Sequence, residues 1–301
     1  MNEHTRKLLD DARKEQFADV LADLDYNDIN INACDHEGKT VLHYAAISHS
    51  DAVIVKTLTK FDVNINIQDK SGKTPLHYAA YNQLCQRYEL IPVHPISKIN
   101  EPRSHKRILV PYYDDHAYEK PLHLLLQHKD IKVNIQDHLG RTALHYAASN
   151  NIDQYVRILL NCQDSSLTIQ DKAGRIPLHY AIKQGGFIWS FLLSSPLLQV
   201  TMEDNDEITL LQYAIQNNKT SSLHRLLSVK DIDVQSAYKY SSTLLHEAVI
   251  NCSTDCMKEL LSYKDIDLHS KDAHGRTPLQ LAELLYQAAS DAKYSSYKQQ
   301  Y

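Results

Sequence analysis

The side chains of this sequence best suited to chemistry are its seventeen histidines, since imidazole can ligate a metal or move a proton near neutral pH. Five of them (His43, His77, His145, His179 and His246) recur at one position of a repeated phrase. Equivalent positions in stacked helical layers lie about 10 Å apart, too far for one ion to bridge. Tyr44, Tyr78, Tyr146, Tyr180 and Tyr213 form a second row, read as packing rather than as a platform for bases. A different concentration lies between residues 91 and 119. There His94, His105, His116, Asp114 and Asp115 are ligand types, but their spacing matches no HExxH, DxDxDG or paired-cysteine pattern. No metal site is expected. The same stretch holds a basic cluster of Arg103, Lys106 and Arg107 and an aromatic one of Tyr112 and Tyr113 beside acids. Exposed tyrosine and arginine anchor protein interfaces, so this stretch is read as an interaction loop.

The five cysteines (Cys34, Cys85, Cys162, Cys252 and Cys256) are odd in number and form no CxxC pair. Reduced thiols in a cytosolic compartment are expected. Cys252 and Cys256 stand four apart, the spacing of one helical face, and are read as small buried hydrophobes. The sequence has no phosphate-cradling GxxxxGK[ST], no GxSxG and no kinase motif set. No catalytic residue and no cofactor is assigned, and no enzyme is expected. A net charge of −5 gives no global basic field to hold nucleic acid. No stretch approaches the roughly 20 apolar residues of a membrane helix, and the N-terminus does not read as a signal peptide. A soluble protein follows from that reading.

What must position these side chains is a period. Five of the seven glycines sit in one phrase, as in Asp35-His-Glu-Gly38-Lys-Thr40-Val-Leu-His43-Tyr-Ala-Ala46 and Asp69-Lys-Ser-Gly72-Lys-Thr74-Pro-Leu-His77-Tyr-Ala-Ala80. The others are Gly140, Gly174 and Gly275. The threonine position is filled by Thr40, Thr74, Thr142, Ile176, Thr209, Thr243 and Thr277, at intervals of 34, 68, 34, 33, 34 and 34. Asp-x-x-Gly is turn chemistry, Thr caps a helix and Pro suits its first turn. The alanine pair lets layers approach closely. A second helix, such as Ala52–Leu58 or Tyr155–Leu160, closes the unit, and an extended run such as Val63–Ile67 leads to the next turn. Stepping back one period from Leu42 finds an amphipathic helical pair around Leu8 and Val20 with no turn before it. The tip glycine is replaced by Glu207 and Ser241 in two units, where distorted or mobile tips are expected. The last unit should end in a weakly apolar second helix after Gln287. Across the 68-residue interval, four prolines between 92 and 111 argue against a helix pair. Pro121–Leu126 aligns with the second helix of the unit begun at Asp69, leaving 91–119 as an insertion.

The phrase Thr74–Ala80 resembles the ankyrin-repeat consensus, and the resemblance extends over most of the chain. It implies an all-α repeat solenoid with projecting β-hairpins, here about eight units of 33–34 residues, one split by an insertion. The division expected is 1–34 as an N-terminal capping helical pair, 35–90 as repeats, 91–119 as a Pro- and Tyr-rich loop, 120–271 as repeats, and 272–301 as a C-terminal capping repeat with a polar tail. The repeat histidine is then a structural hydrogen-bonding residue. Lys39, Lys73, Arg141, Arg175 and Arg276 form a ridge along the tips, offset by the aspartate that heads each turn. The family binds partner proteins through hairpin tips and the ends of first helices, which line its concave face. That places candidate contacts at His36, Glu37, Lys39, Ile47 and Ser48, at Lys70, Ser71, Lys73, Tyr81 and Asn82, and at His138, Leu139, Arg141, Ser149 and Asn150. Arg103, Lys106, Arg107, Tyr112 and Tyr113 of the insertion complete the set. A monomeric, cytoplasmic, non-enzymatic scaffold for partner proteins is expected, without nucleic acid or membrane insertion. A second reading is a secreted effector of an intracellular bacterium acting in the host cytosol, since Ile, Asn, Lys and Tyr suit an AT-rich genome. A third is an enzyme with a cryptic site in the insertion. His94-Pro95 starts like the motif of Fic-type transferases, but no Gly-Asn-Gly-Arg follows.

Overall fold

A computed structural model describes residues 1–81, 120–162, 164–184, 202–229, 242–263 and 266–298. Among them every regular element is an α-helix, apart from one isolated antiparallel bridge between Glu203 and Thr209. The helices fall into two compact units, residues 1–150 with 154–166 and residues 151–153 with 167–301.

In the first unit, α1 (Glu3–Arg13) and α2 (Phe17–Asp23) pack on each other. Then come α3 (Val41–Ile47), α4 (Asp51–Lys60), α5 (Pro75–Ala80), α6 (Lys120–Leu126), α7 (Ala143–Ser149) and α8 (Asp153–Leu160). First helices stack in the series α1, α3, α5, α7, and second helices in the series α2, α4, α6. α6 rests on α4 and α5, the place α4 holds against α2 and α3. Alanines make this close stacking feasible: Ala45, Ala46, Ala79, Ala80, Ala147 and Ala148 are wholly buried. Second helices fill the space behind with Val53, Ile54, Leu122, Leu125, Val156 and Leu159. Each such side chain contributes about 1.5–3 kcal/mol by leaving water.

The second unit contains α9 (Pro177–Gln184), α10 (Leu210–Gln216), α11 (Thr220–Leu227), α12 (Leu244–Ile250), α13 (Thr254–Leu261) and α14 (Pro278–Lys298). α9, α10, α12 and α14 stack as first helices, with α11 against α13 behind them.

Four expectations are corrected. The runs leading into the tips form turns rather than strands, so the tips close without a β-ladder. In the runs before Asp35 and Asp69, Asn30 and Asn64 accept the amides two residues on, at 3.1 and 3.2 Å, in competition with strand pairing. The tip at Glu207 is not distorted. Glu207 adopts φ +63° and keeps the glycine turn, with its amide 3.0 Å from the Asp204 carbonyl. The last unit has no separate second helix, because α14 runs unbroken through residue 287. Cys252 also departs from its expected place: it is exposed at φ +51° before α13, and only Cys256 is buried. Cys85, the insertion 91–119 and Ser241 lie outside the described residues.

Candidate protein-binding surface

Each tip is built around its aspartate. The Asp69 amide donates to the Lys73 carbonyl at 2.9 Å, and the Gly72 amide to the Asp69 carbonyl at 2.8 Å. Asp69 Oδ1 accepts the amides of Ser71 (2.8 Å) and Lys73 (3.0 Å), while Oδ2 accepts the Tyr78 hydroxyl at 2.5 Å. The same triad ties Asp35 to Tyr44, Asp137 to Tyr146, Asp171 to Tyr180 and Asp204 to Tyr213. Burial pulls the carboxyls of Asp35, Asp69 and Asp171 upward, but the hydroxyl and amide donors outweigh it and hold them below the usual range. Burial and then the aspartate push the hydroxyls of Tyr44, Tyr78, Tyr146 and Tyr213 well above theirs. The tyrosine row is therefore tip-to-helix bracing.

The repeat histidine joins adjacent layers. His43 Nδ1 accepts the Thr40 amide at 3.0 Å, which fixes the proton on Nε2, and Nε2 donates to the Lys73 carbonyl at 3.1 Å. His77 bonds Thr74 (3.0 Å) and Arg141 (3.0 Å) in the same way, and His246 bonds Thr243 (3.2 Å) and Arg276 (2.9 Å). Gln212 and Gln280 occupy this position in two units and accept the threonine amide through Oε1.

Glycine is required at the tip for two reasons at once, seen best at Gly72. Its φ is +79°, and a Cβ there would come within 2.6 Å of the His138 amide nitrogen in the next tip. That approach lets the tips bond backbone to backbone: Lys70 N–H to Glu37 carbonyl at 2.8 Å, and His138 N–H to Ser71 carbonyl at 2.9 Å. His36, Glu37, Lys70, Ser71, His138 and Leu139 consequently project as an exposed row. Lys39, Ile47, Ser48, Lys73, Tyr81, Arg141, Ser149 and Asn150 lie half-buried. Ser48 donates to Glu15 at 3.2 Å, and Tyr81 meets the Tyr146 ring edge-on at 5.4 Å. Asn82, Arg103, Lys106, Arg107, Tyr112 and Tyr113 lie outside the described residues.

The basic ridge is offset by the turn aspartate in only part of the chain. Arg175 and Arg276 do reach Asp171 (3.3 Å) and Asp272 (2.7 Å), and Arg276 holds Asp272 down at about 2. Lys39 instead pairs with Glu37 at 2.6 Å. The Lys73 ammonium lies over three rings, those of Tyr78, Tyr81 and Tyr146, at 5.4, 5.9 and 4.9 Å. Cation–π contact keeps it at the centre of an aromatic surface.

One device escaped sequence reasoning. Asn32, Asn66 and Asn134 bridge successive layers behind the tips. Asn66 donates to the Asp130 carbonyl at 2.7 Å and accepts the Lys132 amide at 3.0 Å. Asn32 does the same to Asp62 and Asn64, and Asn134 to Asp164 and Ser166. Their spacing, 34 and 68 residues, was the available signal.

A family model for ankyrin repeats in three copies matches residues 9–91, 116–206 and 211–289. The chain belongs to the ankyrin-repeat family. Ankyrin repeats are generally protein-interaction modules. No curated protein matches the chain. Among solved structures it is similar to the ankyrin repeat domain of Bcl-3, titled a unique member of the IkappaB protein family. The TM-score is 0.59 at 21% identity, covering 82% of this chain and 95% of that one. That likeness shows the ankyrin fold. Among the described residues no helix is long and apolar enough to cross a membrane.

Proposed function

We propose that this ankyrin protein is a non-enzymatic scaffold that binds partner proteins in the cytosol through the tip row and first-helix ends of its first unit. The observation that carries this reading is the backbone linkage of the tips. Lys70 N–H to the Glu37 carbonyl and His138 N–H to the Ser71 carbonyl set the register, which leaves the exposed side chains for a partner. Leu139 is a large apolar side chain bare on a tip, and Lys73 on its tyrosines lies beside it in the repeat order. Such a mixture of aromatic, cationic and apolar groups suits a protein interface. The insertion 91–119, rich in Tyr and Arg, is proposed as a second contact.

Affinity capture from cytosolic lysate tests this with three proteins: the intact chain, a Glu37→Lys/Lys70→Glu/Leu139→Asp variant, and a version with 91–119 replaced by a short Gly-Ser link. Partner loss with the tip variant, at unchanged circular dichroism, supports the tip row. Loss only with the replaced insertion moves recognition there. Capture indifferent to both refutes the proposed surface. The effector setting, favoured by the Ile-, Asn-, Lys- and Tyr-rich composition, is tested by a translocation reporter fused to the chain.

A further inference from the structure

Cations and tyrosine rings alternate across the tips of the first unit. Each turn ends on a basic residue just before the threonine cap, and each first helix carries its tyrosine one turn in. The Lys39 ammonium lies 5.9 Å from the Tyr44 ring centroid and 5.7 Å from that of Tyr78. Lys73 shares Tyr78 at 5.4 Å and reaches Tyr146 at 4.9 Å, and the Arg141 guanidinium shares Tyr146 at 5.9 Å. Ring faces are electron-rich, so each cation is held in place against them. The result is a ladder of positive charge with the pitch of the stacked layers, about 10 Å.

The turn carboxylates of these layers face inward. Asp35, Asp69 and Asp137 each give one oxygen to backbone amides and the other to a tyrosine hydroxyl. On the three tips the exposed carboxylate is Glu37, which accepts from the Lys39 ammonium at 2.6 Å and is held below its usual range by it. That contact shows what the ladder accepts. One period on, the position of Glu37 is filled by Ser71, and in the layer after that by Leu139. Lys73 consequently has no such answer: among the described residues no carboxylate reaches its ammonium, which rests on rings alone.

We propose that this ladder seats an extended acidic segment of the partner protein, with carboxylates at every third residue and one of them on Lys73. The inference rests on the tip and helix-end surface proposed above and adds the chemistry of what lies there. An extended chain rises about 3.1–3.4 Å per residue, so every third side chain covers one layer. Charge complementarity selects the acid, and the ring-held ammonium is already ordered before it arrives. Nucleic acid fits poorly. Tyr44 and Tyr146 are only 8% and 5% exposed, which leaves no ring face for a base, and the net charge of −5 opposes a polyphosphate chain.

Fluorescence anisotropy of the intact chain with a labelled peptide of repeated Glu-Pro-Ser tests this, since its polyproline II form places a carboxylate about every 9 Å. Saturable binding is expected, about tenfold tighter than to Gln-Pro-Ser repeats or to an isomer with its glutamates bunched at one end. Lys73→Gln is expected to weaken it about tenfold at unchanged circular dichroism, and Lys73→Arg to restore it. Glu37→Gln removes the internal carboxylate and is expected to tighten binding about threefold. Equal binding of the glutamine or bunched peptide overturns the proposal, as does indifference to Lys73→Gln. A single-stranded oligonucleotide that binds more tightly through Lys73 also overturns it. Lysate capture that depends on the tip row while the acidic peptide fails to bind overturns this inference and leaves the surface standing. Peptide binding through Lys73, with capture indifferent to the tip variant, supports the ladder and overturns the scaffold surface alone.

Discussion

His43 can bond the Thr40 amide and the Lys73 carbonyl together only as a neutral ring. Burial above all holds His43, His49 and His179 down at about 4, and it lowers His77 as well. Unfolded, these rings titrate near 6.5. A depressed folded pKa stabilises the fold above the unfolded value, and that contribution is lost as the pH falls through the folded one. From pH 7 to pH 5 the unfolding free energy is expected to drop by about 2 kcal/mol for each ring near 4. Urea titration at the two pH values measures it, and a flat profile would contradict the assignment. His43→Gln is expected to keep the cap, as Gln212 does at its position, and to flatten the profile. His77→Ala, which loses both bonds, is expected to cost about 2 kcal/mol at pH 7. The histidine row was legible because identical residues recurred at one period. The partner of Nε2 was not, since the His77 bond reaches 64 residues along the chain.

The turn and the lead into it are where local chemistry decides the element. Glu207 sits at φ +63°, a conformation costing roughly 1–2 kcal/mol for a residue with a Cβ. Glu207→Gly is therefore expected to stabilise the protein by about 0.5–1 kcal/mol, seen as a raised melting temperature. Gly72→Ala is expected to destabilise by more than about 2 kcal/mol, because the added carbon meets backbone 2.6 Å away. Asp-x-x-Gly announced the turn correctly from composition alone. Val63-Asn-Ile-Asn-Ile67 misled, because alternation of apolar and polar residues is also the signature of a strand. What overrode the pattern is the asparagine carboxamide, which captures an amide two residues away and then reaches the neighbouring layer. Period alone could not distinguish a side chain facing water from one tying two layers.

For the whole molecule, continuity is maintained by bonds that ignore sequence separation. Gln68 donates to the Gln136 carbonyl at 3.0 Å, His77 to Arg141 at 3.0 Å and the His138 amide to Ser71 at 2.9 Å. These ties close the layers on either side of residues 82–119 directly. Replacing 91–119 by a short Gly-Ser link is expected to leave the melting temperature within about 3 °C, since loop length changes closure entropy only slowly. A large drop in a thermal scan would mean that the segment helps hold the layers. The doubled interval was legible as an anomaly from the prolines, whereas the end at α14 was not, because a weakly apolar sequence does not reveal whether a helix turns back or runs on. The tips carry one last implication. The bonds of Lys70 to Glu37 and of His138 to Ser71 use only backbone amide and carbonyl groups, which every residue except proline possesses. Positions 36, 70, 138 and 139 are therefore released from folding's demands, and mutation can explore new partners there while the stack beneath stays the same.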